Sequence, residues 1–169
     1  MAITGIRRLT FLVDDLEKCA QFFDDYGLTK KSGDLTSARL ETMNGAEVPL
    51  LVRGHDNLPK ASRQTGIGVQ ECTWSVDTKE ALDGLVNDLS RDHELFTDAE
   101  GVVHFVTSFG QAIGLQVWRG RDVYGSPSPD NTVGRIGRLN QPRKWLQKAV
   151  PKRIHHCVWT FPDVQQALE

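Results

Sequence analysis

Three cysteines, Cys19, Cys72 and Cys157, are too few, too far apart and odd in number, so neither a disulfide framework nor a paired-cysteine zinc site is expected. No apolar stretch reaches the roughly 20 residues that a membrane-spanning helix needs. Neither sign of charge dominates. Twenty Lys and Arg stand against 22 Asp and Glu, a formal net charge of -2, so the chain has no global bias toward nucleic acid or membrane and any partner must be argued locally. Phosphate-cradling glycine loops, nucleophile elbows and metalloprotease helices are also missing; Gly66-Ile67-Gly68 lacks both the third glycine and the following helix. The opening MAITGIRRLTFLVDDL alternates and is closed by Asp14 and Asp15, so it reads as a strand and not as a secretion signal. A reduced cytoplasm is the expected compartment.

What is present is a repeated order of elements. Ile6 to Val13 is apolar and β-branched; Asp14 or Asp15 can cap a helix carrying Leu16, Cys19, Phe23 and Tyr26, and Gly27 is a natural stop. Extended segments are expected over Thr29 to Ser32, Thr36 to Met43 and Val48 to Arg53, with Gly33-Asp34 and Asn44-Gly45 at the turns. His55 to Gln64 is polar and serves as a connector. The order then restarts: a strand through Val69 to Val76, Asp77 or Thr78 as a cap, and a helix carrying Ala81, Leu82, Leu85, Val86 and Leu89. Shorter strands follow near His93 to Thr97, Val102 to Thr107 and Ala112 to Trp118. Two such units, 1–54 and 66–119, are expected to share one core as an α+β domain of paired βαβββ modules.

From Gly120 to Lys152, glycines and prolines break the periodicity, which reads as a linker arm. Its end, Arg135 to Arg153, is basic without an acidic residue. It offers a single aromatic, Trp145, so a solvated belt is expected there and no nucleic-acid partner. Beyond Pro151 a first-strand pattern opens a third time, in RIHHCVWTFPDVQQALE, as the start of a second domain over 153–169.

The motif Leu12-Val13-Asp14-Asp15-Leu16, followed by Phe22-Phe23 and Tyr26-Gly27-Leu28, resembles the vicinal oxygen chelate superfamily of glyoxalases, bleomycin resistance proteins and type I extradiol dioxygenases. The resemblance covers residues 5 to 119 as two modules and 153 to 169 as the opening of a third. It implies a curved mixed sheet around a cleft. It also implies a metal held by a histidine in the first strand of each module and a carboxylate in a last strand. Those positions fall on Arg8, on or beside Glu71, and near Gly114, so the family's ligand pattern is absent from the first domain. This departure resembles the two-domain extradiol dioxygenases, whose amino-terminal domain keeps the fold without the ligands.

By the same resemblance His156 takes the place of a first iron(II) ligand in a longer parent that opens a catechol-like aromatic ring. One imidazole without its partners does not make a metal site, so no catalytic or cofactor-binding residue and no bound iron are expected in the chain alone. His155 faces the other side of a regular strand. Two readings of Arg8 and Glu71 stay open, an ion pair across the cleft in place of the metal or unrelated, solvent-exposed side chains, and His104 is expected to be a strand residue with a satisfied hydrogen bond. The resemblance also allows a metal-free binding protein for a small aromatic ligand, with Trp74 and Trp118 along the cleft. Paired modules of this kind, and an unpaired strand edge, would favour a homo-oligomer.

Overall fold

The computed structural model describes residues 2–59, 66–124, 148–160 and 165. The first module runs β1 (Ile3–Val13), α1 (Leu16–Tyr26), β2 (Thr29–Gly33), β3 (Ser37–Glu41) and β4 (Glu47–Val52). The second repeats it as β5 (Gly68–Val76), α2 (Lys79–Leu89), β6 (Phe96–Thr97), β7 (Val103–Val106) and β8 (Ala112–Val117).

Local chemistry accounts for the helix ends. The Asp15 carboxylate accepts from the Lys18 N–H at 3.0 Å, and the Thr78 hydroxyl from Ala81 N–H at 3.1 Å, each satisfying a donor that the first turn leaves free. Gly27 closes α1 in a left-handed conformation, φ 107°, with its N–H returned to the carbonyls of Phe23 and Asp24.

The eight strands form one sheet in the order β2-β3-β4-β1-β5-β8-β7-β6. The two first strands pair antiparallel at the centre, and each also pairs parallel with the last strand of its own module. Both helices lie on one side. There α1 packs with Phe11, Val13, Ala38, Leu40, Val48 and Leu50, and α2 with Trp74, Val76, Val103, Phe105 and Leu115, giving one apolar cluster per module. Alternation along the strands then turns Arg39, Glu47, Glu71, Thr73, His104 and Gly114 to the opposite face.

That face is concave. Arg39 on β3 and Glu100 beside β7 are separated by five strand spacings, about 24 Å in a flat sheet. Their side chains nevertheless approach to 3.7 Å, which requires the two flanks to curl toward each other over a cleft.

Residues 148–160 carry no regular element, so the strand expected from Arg153 onward is not formed over its described part. A strand needs a hydrogen-bonding neighbour, and this segment instead lies against the first module. Pro151 and Lys152 carbonyls accept from the N–H groups of Met43 and Asn44 at 3.0 and 2.9 Å. Lys148 pairs with Asp24, and Ile154 packs on the α1 cluster. Most of the basic arm, including Arg135, Arg138, Arg143, Lys144 and Trp145, lies outside the described residues.

Candidate functional site: the cleft between the modules

The cleft is built around Arg8. A register irregularity in β1 between Ile6 and Arg8 lets two consecutive arginines reach one carboxylate. Arg7 Nη2 lies 3.0 Å from Glu47 Oε1 and Arg8 Nε 3.2 Å from Glu47 Oε2, all three side chains being only 12% exposed. Arg8 Nη2 extends further, to Glu100 Oε2 at 2.6 Å, and so joins the first module to the β6–β7 turn of the second. Burial alone would weaken the Arg8 charge. The hydrogen bond to Glu100 and the charges of Glu47, Glu100 and Glu71 outweigh it, and the Arg8 pKa rises above its ordinary value. Glu100 responds in the opposite sense, held below the usual carboxylate range chiefly by the Arg8 hydrogen bond.

Glu71, on β5, is buried, and its partner is not Arg8. His104 Nδ1 lies 2.9 Å from Glu71 Oε1 and 3.2 Å from Oε2, while His104 Nε2 lies 3.1 Å from Asp98 Oδ2. Neither reading open in the sequence holds, neither a direct Arg8–Glu71 ion pair nor exposed, unrelated side chains: there are two linked groups, Arg8 with Glu47 and Glu100, and Glu71 with His104. The reason is register. Arg8 stands opposite Thr73 across the β1–β5 pair, whereas Glu71 stands opposite Thr10. Parallel pairing puts Glu47 directly beside Arg8.

His104 is satisfied at both ring nitrogens, as a strand histidine should be, but by two carboxylates. Burial pulls its pKa down; the Glu71 and Asp98 hydrogen bonds and charges more than reverse that, and the pKa lies above the ordinary 6.5. Gly114, beside His104 on β8, leaves the room this arrangement uses. A Cβ there would stand 2.7 Å from Thr73 Oγ1, 2.9 Å from Glu71 Oε1 and 3.0 Å from Val102 Cγ1.

The three positions at which the sequence resemblance would place metal ligands therefore hold a guanidinium, a carboxylate already engaged by an imidazole, and a glycine without a donor. This set does not fit a divalent metal, since a cation beside Arg8 is repelled and Gly114 supplies no ligand. Among the described residues no group of three or more His, Cys, Asp or Glu is arranged to hold one.

Of the other residues singled out, Trp74 lies on the helix side in the second module's cluster, and Trp118 takes the Arg7 guanidinium over its ring at 5.0 Å. His156 is exposed, its Nδ1 3.4 Å from that of His155, and the two rings meet edge to face; the described structure brings no further metal-ligating group to it. Glu47, Asp98 and Glu100 were not picked out by sequence reasoning. A usable signal for the last two existed, because Asp98-Ala99-Glu100-Gly101 is turn chemistry beside a strand that carries His104.

No family model and no curated protein matches the chain. Solved structures do. An extradiol ring-cleaving dioxygenase from B. fuscum superposes with a TM-score of 0.56 at 14% identity, over 71% of this chain and 34% of its own length. A 2,3-dioxygenase from a Pseudomonas species gives 0.56 at 15% identity, over 72% and 42%. The Mn(II)-bound glyoxalase from Novosphingobium aromaticivorans gives 0.51 at 17% identity, over 73% and 44%. The chain shares its paired-module fold with these extradiol dioxygenases and this glyoxalase. It spans between a third and a half of the length of these structures. Among the described residues no helix is long and apolar enough to cross a membrane.

Proposed function

We propose that this chain is the ligand-free, supporting domain of a two-domain, iron(II)-dependent extradiol dioxygenase acting on a catechol-like aromatic substrate. Ring cleavage would be performed by a second domain whose first strand opens at His156. One observation carries the reading: the cleft at which a catalytic module pair holds its metal is tied shut by Arg8, Glu47, Glu100, Glu71 and His104. A domain kept in that form contributes packing and position. The dioxygenase-type fold and the fraction of each dioxygenase chain that it matches support the same division of labour. His156 then acts as an iron ligand only where the second domain supplies the other two. Three free thiols are in keeping with a reduced cytoplasm.

The test is made on the protein isolated from its source at its native length. The expected result is a chain longer than 169 residues that contains iron, cleaves catechol to a coloured ring-fission product, loses its iron on His156→Ala and retains it on Arg8→Gln. Iron retained in the His156→Ala protein, or a native product of 169 residues with no ring-cleaving activity, would overturn the proposal.

A further inference from the structure

We propose that His104 is a proton-operated clasp that holds the second module to the first across the cleft. The inference stands independently of the dioxygenase reading, because it uses only groups described within this chain.

A neutral imidazole has one N–H and one acceptor nitrogen, whereas an ionised carboxylate offers acceptors only. His104 places Nδ1 at 2.9 Å from Glu71 and Nε2 at 3.1 Å from Asp98, so both bonds are made together only by the imidazolium. Loss of the proton leaves one nitrogen lone pair facing a carboxylate. That contact is repulsive and one of the two bonds must open.

The surroundings reinforce the charge without competing for it. Phe96 stacks on the ring with centroids 5.9 Å apart, and Gly114 on the neighbouring strand presents no side chain. The Thr73 hydroxyl faces Glu71 Oε1 at 3.4 Å. Cys72 stays a neutral thiol, its pKa pushed up to about 12, first by burial and then by Cys157 and Glu71. Arg8 acts on Glu71 through space and is bonded elsewhere, to Glu47 and Glu100.

Asp98 is the hinge between the proton and the clasp. Its Oδ2 meets His104, while its Oδ1 accepts from the Glu100 and Val102 N–H groups at 2.9 Å each, fixing the turn that aims Glu100. Glu100 in turn bonds Arg8 at 2.6 Å and stands 3.7 Å from Arg39, both in the first module. The connection therefore runs from Glu71 on β5, through His104 and Asp98, to Glu100 and the first module. A proton on His104 closes it, and deprotonation releases the turn.

The experiment is an NMR titration of the full chain, following the His104 ring nitrogens together with the hydrogen-exchange protection of the Glu100 and Val102 amides. His104 is expected to carry both ring protons through pH 6.5 and to lose one only above that ordinary value. Protection of the two turn amides should fall by roughly tenfold in step with that loss, as expected of a local opening. Asp98→Asn should lower the His104 midpoint and abolish the pH-dependent change in protection. Glu100→Gln, as a milder variant, should leave the His104 titration in place while releasing Arg8. A His104 ring that is neutral at pH 6, or turn protection that does not change as His104 deprotonates, would overturn the clasp.

Discussion

Arg8 of the first module and Glu100 of the second meet at 2.6 Å although 92 residues separate them, and the same guanidinium lies 3.2 Å from Glu47 on the adjacent strand. The two contacts differ in weight, since Glu47 is shielded and Glu100 is half exposed. In double-mutant cycles read by urea unfolding, Arg8→Ala with Glu47→Ala should show a coupling of roughly 1–2 kcal/mol. Arg8→Ala with Glu100→Ala should show about 0.5 kcal/mol, discounted for solvent screening. Arg8→Ala with Glu71→Ala should come close to additive. A coupling for Glu71 larger than that for Glu47 would contradict the arrangement described.

Gly114 is required by proximity and not by backbone conformation. Gly114→Ala sets a methyl group against Glu71 Oε1 and Thr73 Oγ1 inside van der Waals distance. The expected cost is about 1–3 kcal/mol of unfolding free energy, as for other overpacked sites. The His104 pKa should fall as Glu71 is displaced. An unchanged midpoint in both urea and proton titration would mean that the cleft has slack.

Stability should depend on pH at both ends. His104 has a raised folded pKa, so its contribution is complete below the unfolded value of 6.5 and is lost as pH rises through the folded value. Asp98 and Glu100 have lowered folded pKa values. Their contributions are present above the unfolded values of 3.8 and 4.5 and are lost as pH falls through the folded ones. The urea midpoint is therefore expected to form a plateau between about pH 4.5 and pH 6.5. His104→Gln should remove the decline at high pH and Asp98→Asn should weaken both declines. A wild-type midpoint that rises from pH 6.5 to pH 8.5 would contradict the assignment.

The segment around Ile154 should behave as part of the first module. Gly27 has φ 107°, and a Cβ there would stand 1.7 Å from the Ala149 carbonyl oxygen, so Gly27→Ala is both strained and obstructed. It is expected to cost more than about 1 kcal/mol and to expose the amides of Met43 and Asn44, which donate to Pro151 and Lys152. Ile154→Ala should cost about 1 kcal/mol, since that side chain is only partly buried. Full protection of the Met43 and Asn44 amides in Gly27→Ala would show that the segment does not depend on this contact.

The fold was legible because its signals are local. Asp15, Thr78 and Gly27 mark helix ends through bonds to residues three or four positions away, and the apolar alternation of each first strand repeats once per module. The cleft was legible only in outline. Arg8, Glu71 and Gly114 were identified as the positions from which metal ligands are missing, but their partners were not. Glu47 and Glu100 reach Arg8 over 39 and 92 residues, distances at which only strand order and curvature decide who meets whom. The pairing of Glu71 with His104 over 33 residues likewise follows from the β5–β8–β7 register, which no single strand reveals. Ile154 was misleading for a related reason: its strand-like neighbourhood carries no strand partner, and the first module's core takes the side chain instead.

The most direct test is an anaerobic iron(II) titration of this chain by calorimetry, with Glu71→Ala and His104→Ala alongside. Because Arg8, Glu71 and His104 are committed to one another and to Glu47, Glu100 and Asp98, the expected result is no saturable iron binding in any of the three proteins. One equivalent of iron bound by the wild-type chain and lost on Glu71→Ala would contradict the account, because the cleft would then be a metal centre and not a clasp.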